Sequence, residues 1–572
     1  MSGLFSFTHG YKKHNDRYCK MIFDEQRFSR LDLAFARFLS ERTAFDPLQK
    51  QAFERLVMAV SYEQSQGHSC IRLDAEGRAL VLASRLAVSP THADAGVSAT
   101  ALPLVVEQDR LYLHRYWFYE HRLAMQITAM TKVCYSFANT AALLDRYFPA
   151  LLDETDWQRT AANRAVQQSF CMITGGPGTG KTTTVVKILA LLQELSERPL
   201  LIALAAPTGK AAMRLQESIG FNKAALPCTA AIKAHIPESV TTLHRLLGAK
   251  PPSPYFRHDA DKPLVYDLVV VDEASMVDLA LMSKLLAALK PGSRLILLGD
   301  KDQLASVESG AVLADLTQAL PEQAVELKKS HRFDGAIKRL AVAVNLQQDA
   351  MAWQILQEAN DDIALLEVDL VDYIAAQQVD YLRLIKAGAE FTEIYQAFNR
   401  FQALCANRLG KNSVADITQA VEQVLFEQQM ITRSGLWYSG RPVMVTQNNA
   451  ALHLYNGDIG ICMPDKESDG KFRVFFQRAD GSVKKYLPAR VPHCETVFAM
   501  TIHKSQGSEF EEVLIVLPDV INPVLTKELL YTAITRAKKT VKLVADAAVF
   551  SGTVRQKVQR VTGLVDKFQT ER

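Results

Sequence analysis

The chain has 572 residues, 48% hydrophobic and 22% charged, the balance of a soluble globular protein built from several domains. No apolar run reaches the roughly 18 residues a bilayer span needs, and the N-terminus lacks the apolar core of a secretory signal, so the expectation is a cytoplasmic protein with no membrane partner. A net charge of +3 leaves the partner open, since a local groove can supply the field for nucleic acid, and eight scattered cysteines offer no zinc or iron–sulfur spacing.

Residues 1–115 read as an α-rich region with some strand, and 116–150 as linking helices. The apolar run Phe170-Cys171-Met172-Ile173 then leads into Gly175-Gly176-Pro177-Gly178-Thr179-Gly180-Lys181-Thr182. From Thr183 onward the apolar residues Val185, Ile188, Leu189 and Leu192 fall at helical spacing. Strand, glycine turn and helix in that order make a phosphate-binding loop. Glycines let successive N–H groups turn inward on an anion, and a helix N-terminus favours negative charge. Lys181 is placed to reach the β- and γ-phosphates of ATP, and the Thr182 hydroxyl to ligate Mg²⁺.

Pro251-Pro252-Ser253-Pro254 interrupts the pattern as loop or turn. Leu268-Val269-Val270-Val271 is a buried strand of the kind parallel sheets require. It ends in Asp272, placed for the Mg²⁺ shell, and Glu273, placed to orient or deprotonate an attacking water. The run Leu295-Ile296-Leu297-Leu298 ends in Gly299-Asp300-Lys301-Asp302-Gln303, which puts Gln303 near the phosphates as a candidate γ-phosphate sensor. Arg332 and Arg536 are candidates for the cation that stabilises a departing γ-phosphoryl group. From Arg441 to Pro492 strand-like runs such as Lys471–Phe476, with turns at Asp469-Gly470 and Asp480-Gly481, read as a β-rich insertion.

Asp156-Trp157-Gln158, the loop 175–182, Ala206-Pro207-Thr208-Gly209-Lys210-Ala211-Ala212 and Thr242-Leu243-His244-Arg245 come first in a longer series of motifs. Val271-Asp272-Glu273-Ala274-Ser275, Gly299 to Glu308, Tyr455-Asn456-Gly457-Asp458, Thr501-Ile502-His503-Lys504-Ser505-Gln506-Gly507 and Tyr531 to Arg536 complete it. In this order they resemble a superfamily 1 helicase, and among these the RecD type, the α subunits of exodeoxyribonuclease V. The resemblance implies an α/β fold: two RecA-like parallel-sheet motor lobes of the P-loop NTPase kind, an SH3-like β insertion in the second lobe, and a mainly α N-terminal domain. It assigns 1–115 to partner docking (Gly67-His68-Ser69-Cys70-Ile71 and Asp109 to Leu113), 116–150 to linking helices and 151–335 to the first lobe. The second lobe takes 336–432 and 498–572, and the insertion 433–497. A β-hairpin pin is implied at 250–266, with Phe256 meeting the DNA fork.

By the same resemblance Gln158 reads adenine, and the loop from Gly175 through Thr183 holds ATP. Thr208, Lys210, Thr242 and His244 of the first lobe contact single-stranded DNA, as do Thr501, His503, Lys504 and Gln506 of the second, with Gln506 and Gly507 also near the nucleotide. Hydroxyls, imidazoles and ammonium groups suit phosphate and sugar contacts, and no base-reading pair stands out. The implied activity is an ATP-dependent helicase moving 5′→3′ on single-stranded DNA. It would act with RecB-like and RecC-like subunits on duplex ends, in double-strand break repair and homologous recombination. No carboxylate constellation for a metal nuclease is evident, so DNA cutting is expected in a partner chain. Two other readings stand: a mainly regulatory ATP-binding subunit, and a stand-alone RecD-like helicase, whose usual N-terminal helix–hairpin–helix repeats are not seen here. The chain departs from the family after Arg332, where Asp334-Gly335-Ala336-Ile337 lacks the usual Ser-Gly-Ile-Gly, and in the short interval from Gln303 to Arg332.

Overall fold

A computed structural model describes residues 28–90, 102–149, 155–306, 308–329, 335–358, 360–432, 435–449, 451–478, 481–491 and 493–570. Arg332 therefore lies outside the described residues, as do residues 1–27. In the N-terminal region polar caps mark where helices begin. Ser29 caps Arg30–Ser40 and Asp46 caps Pro47–Ser65, each in a reciprocal capping box, with Pro47 at a first-turn position that needs no N–H. These helices and Ala75–Ala83 lie on a sheet of β1 (Cys70–Arg72), β2 (Ala87–Val88), β3 (Leu104–Glu107) and β4 (Arg110–Leu113), in the order β1-β4-β3-β2. Phe53, Val57, Val81, Leu104, Val106 and Leu111 form the shared core.

The first lobe is a parallel sheet of β5 (Phe170–Thr174), β6 (Ile202–Ala206), β7 (Thr241–Thr242), β8 (Leu268–Val271), β9 (Arg294–Gly299) and β10 (Ala324–Glu326). Its order is β10-β5-β9-β8-β6-β7. The inner strands are apolar along their middle residues because helices cover both faces. Phe170, Met172, Val269, Val271, Leu295 and Leu297 feed one core; Cys171, Ile173, Leu268, Val270, Ile296 and Leu298 feed the other. Part of that cover comes from the expected linkers. Leu123 and Ile127 of helix His114–Thr131 join the first core, and Leu144 and Tyr147 of Thr140–Tyr147 join the second. Since all the strands point one way, the loops after β5, β6, β8 and β9 gather at one edge, where open α/β sheets bind ligands.

Residues 250–266 do not form the expected hairpin. Among the described residues the pairing there is an isolated bridge between Ala249 and Phe256. Pro251, Pro252 and Pro254 have no N–H to give a ladder. Phe256 is half-buried against the first core and His244, their ring centroids 5.8 Å apart. The exposed aromatic is its neighbour Tyr255, at 76%.

The second lobe opens with β11 (Ile363–Leu365) and β12 (Phe401–Cys405). An insertion follows: β13 (Pro442–Val445), β14 (Ile459–Pro464), β15 (Phe472–Gln477), β16 (Val483–Tyr486) and β17 (Cys494–Thr496). These make one antiparallel sheet in the order β16-β15-β14-β13-β17. The lobe resumes with β18 (Ala499–Thr501), β19 (Phe510–Val516) and β20 (Ala537–Val544), and its parallel sheet runs β11-β20-β19-β12-β18. The segment 498–572, expected wholly in this lobe, divides. After helix Ala547–Arg555 it crosses back, and Leu564 and Phe568 of helix Leu564–Thr570 enter the first-lobe core beside Leu123 and Leu316. Two apolar residues four apart on a short helix need a wall to lie on, and the helix His114–Thr131 supplies it.

Candidate active site

The loop after β5 is shaped by its backbone. Gly178 and Gly180 hold φ of +77° and +82°, and a Cβ on Gly180 would stand 2.6 Å from the Gln158 amide nitrogen. Gln158 thus reaches the loop itself. Thr179 ties the turn by donating to the Gly176 carbonyl at 2.9 Å. Lys181 opens helix Lys181–Leu195, and its Nζ donates to the Gly175 and Gly176 carbonyls at 2.6 and 3.1 Å. A Cβ on Gly176 would meet the Tyr531 hydroxyl at 2.9 Å, so a second-lobe side chain touches the loop.

Asp272 and Glu273 follow β8. Asp272 Oδ1 accepts the Glu273 N–H at 2.9 Å. Burial, joined by the Glu273 carboxylate, holds the Asp272 carboxyl above its usual range, against the pull of Lys181. Glu273 has a φ of +51°, a left-handed backbone that strains any residue with a Cβ and that gathers at working sites. A carboxyl raised by burial and a like charge gains from a cation. The Thr182 hydroxyl lines the same cavity, so the donors are hard oxygens, and they fit Mg²⁺.

The loop after β9 joins the lobes. Asp300 Oδ2 accepts from Gln303 Nε2 at 3.0 Å and from the Tyr531 hydroxyl at 3.1 Å. Burial pushes the Asp300 carboxyl up to about 6, with Lys181 opposing. Gln303 Oε1 accepts Arg536 Nη2 at 2.8 Å. Arg536 is 2% exposed, and its other nitrogens donate to the Thr532 and Ser508 carbonyls at 3.1 and 3.3 Å. Next in the loop, Leu304 N–H donates to Thr532 Oγ1 at 2.9 Å, and its carbonyl accepts Gln506 Nε2 at 3.0 Å. The amide of Gln506, expected on DNA and near the nucleotide, is thus bound across the lobes to the loop after β9.

Gln158, the loop from Pro177 to Thr183, Asp272, Glu273, Gln303 and Arg536 line one cavity of about 680 Å³. Gly175 and Gly176 stand behind it, their carbonyls held by Lys181. Two further charges line the cavity: Arg214, on helix Gly209–Ala224, and Glu509, its ion-pair partner from the second lobe. The spacing of Lys210 and Arg214, four apart on one helix face, is a sequence signal for the arginine. Glu509 stands in the continuation of the motif Thr501–Gly507, which signals its place but not its partner, and nothing local marks the contact between Asp300 and Tyr531.

The three threonines expected on DNA have a common feature. Thr208, Thr242 and Thr501 each cap a helix start, accepting from Ala211, Arg245 and Lys504 N–H at 3.2, 3.3 and 3.4 Å. Each stands at or just beyond the carboxyl end of a parallel strand: β6, β7 or β18. His244 is exposed. Lys210 is half-buried, and burial, with Arg214 nearby, lowers its pKa to about 8. His503 is half-buried and its pKa is lowered by burial, while Lys504 pairs with Glu495.

Family models match three stretches: the N-terminal domain of RecBCD enzyme subunit RecD over 24–92, an AAA domain over 158–309, and a UvrD-like helicase C-terminal domain over 496–544. The RecBCD enzyme subunit RecD of Mycolicibacterium smegmatis is 40% identical over 465 residues, covering 80% of this chain and 82% of that one. Its counterpart in Haemophilus influenzae is 36% identical over 528 residues, covering 81% and 80%. The ATP-dependent RecD2 DNA helicase of Deinococcus radiodurans is 31% identical over 424 residues, with 72% of this chain and 52% of that protein covered.

Proposed function

The chain belongs to the family of RecBCD enzyme subunits RecD, and from that membership we infer that it is the ATP-dependent DNA helicase subunit of a RecBCD-type helicase–nuclease. RecB-like and RecC-like subunits are its partners, and double-strand break repair and homologous recombination its setting. The observation that carries the motor reading is the convergence of both lobes on one cavity. The first lobe brings Lys181, Asp272, Glu273 and Gln303, and the second brings Arg536 already bonded to Gln303.

In this reading the loop N–H groups and Lys181 hold the phosphates of ATP, and Gln158 lies against the loop for the adenine side. Glu273 takes a proton from the attacking water. Gln303 and Arg536 meet charge as it builds on the departing γ-phosphoryl group, with no reorganisation needed because the guanidinium is already held by carbonyls. Thr182 and Asp272 would hold Mg²⁺, which neutralises phosphate charge. Lobe closure and reopening then move two sets of strand contacts past each other. Thr208, Lys210, Thr242 and His244 belong to one set, and Thr501, His503 and Lys504 to the other. Family resemblance supports 5′→3′ movement on single-stranded DNA, entry at duplex ends, an SH3-like form for the insertion, a cytoplasmic location and a docking role for the N-terminal region.

Lys181→Gln tests this directly. It should abolish single-strand-stimulated ATP hydrolysis and unwinding while the chain still co-purifies with its partners. Normal unwinding by that variant would refute the assignment.

A further inference from the structure

The Gly67-His68-Ser69 turn lies in the N-terminal region, outside the lining of the cavity, yet hydrogen bonds connect it to the loop after β9 that carries Gln303, the sensor loop. The described residues of that loop run from Asp300 to Ser306 and from Glu308 to Gly310, and its far end is gripped from two sides. On one side the Gly310 N–H donates to the Gly67 carbonyl at 3.0 Å, and Ser309 Oγ and Gln64 exchange hydrogen bonds at 3.2 Å. On the other, the Arg560 guanidinium donates to the Glu308 and Gly310 carbonyls at 2.5 and 2.9 Å, and to the Ser306 carbonyl. Several carbonyls turned toward one planar fork is an arrangement arginine fills and lysine does not.

Arg560 is itself seated on the turn. A Cβ on Gly67, whose φ is +94°, would stand 3.0 Å from the Arg560 Cζ. The next residue, Val561, donates its N–H to His68 Nδ1 at 3.0 Å and accepts the Ser69 N–H at 3.1 Å. His68 Nδ1 accepts, so the ring proton is on Nε2, which faces Glu63 at 3.1 Å. Upstream, this stretch is tied to the second-lobe helix Lys527–Ile534, which carries Tyr531 and Thr532. The Gln556 carbonyl accepts the Lys527 N–H at 2.8 Å, and the Val558 N–H donates to Glu528 at 3.0 Å.

We propose that Arg560 is a positioning residue for ATP hydrolysis: by fixing the Ser306, Glu308 and Gly310 carbonyls against the N-terminal region, it holds the sensor loop so that Gln303 meets Arg536. The proposal rests on the ATPase reading above. Its test is steady-state, DNA-stimulated ATP hydrolysis by the purified full chain. Arg560→Ala should lower kcat about tenfold to about a hundredfold, the scale of a small misplacement of a catalytic group, with KM for ATP within about twofold. Arg560→Lys, which keeps the charge and reaches fewer carbonyls, should recover only part, and serves alone if the alanine variant does not fold. In a Gln303→Ala background Arg560→Ala should add no further loss, because both act through one side chain. Unchanged kcat in both Arg560 variants overturns the proposal, as does an equal loss in the Gln303→Ala background. A wild-type chain without DNA-stimulated hydrolysis overturns the motor reading itself.

Discussion

Arg536 is buried, and its visible partners are neutral: three carbonyl or amide oxygens, one of them on Gln303 in the opposite lobe. Such a guanidinium keeps its charge available for a phosphate and is aimed before the substrate arrives. Arg536→Ala should therefore lower kcat for ATP hydrolysis by about 10³ or more, as loss of an arginine finger does, while affinity for a non-hydrolysable ATP analogue changes less than about tenfold. Single-turnover hydrolysis and analogue titration separate the two; a large affinity loss with kcat intact would assign Arg536 to binding. The residues that line the cavity were legible because each follows an apolar strand in a local string: Lys181, Asp272, Glu273, Gln303. Their mutual bonds were not. Asp300 and Tyr531 touch at 3.1 Å across 231 positions of sequence, a pairing that only the packing of two lobes creates. The pairing of Arg214 with Glu509 escaped for the same reason.

Strands and helix starts carry their own signals, and these explain which elements could be read in advance. The apolar runs at 170–173, 268–271 and 295–298 all became central strands, since a doubly covered sheet leaves no polar alternation. β7, only Thr241–Thr242, has no such pattern. Among the described residues, 250–266 lack a strand ladder for a chemical reason, three prolines without N–H groups where a ladder would need them. Resemblance assigned Thr208 to DNA, but the hydroxyl also caps helix Gly209–Ala224, and the two roles predict different variants. Thr208→Ala should lose the cap, costing about 1 kcal/mol of stability, and weaken single-strand binding. Thr208→Ser keeps the cap and an equivalent hydroxyl, so denaturant unfolding and strand affinity should both stay near wild type. If Thr208→Ala binds strand as well as wild type does, the residue is a cap and nothing more.

The whole molecule is less separable than its motifs suggested. The chain crosses from the second lobe to the first after Arg555, and its arrival is marked by a half-buried acid. Thr562 Oγ1 donates to Asp315 Oδ2 at 3.0 Å, and Lys567 pairs with Glu107 of the N-terminal region. Motif reading missed this because the crossing contains no motif, only Leu564 and Phe568 in search of an apolar wall. Burial pushes the Asp315 carboxyl up to about 7, with the Glu120 carboxylate adding and Arg560 opposing. The folded chain then binds more protons at this site than the unfolded chain between the ordinary carboxylate range and about pH 7, so its contribution to stability is full in acid and lost as pH rises. Between pH 6 and 8 the loss amounts to about 1 kcal/mol, since only the upper part of the shift falls in that window. Asp315→Asn keeps an acceptor for Thr562 and cannot ionise. Wild type should unfold at lower denaturant at pH 8 than at pH 6, and the asparagine variant should show that difference reduced by about 1 kcal/mol. Hydrogen exchange at Gly563 and Val561 would localise the effect to the crossing segment. An unchanged pH dependence in Asp315→Asn would mean that another group near the crossing, Glu120 foremost, carries the linkage.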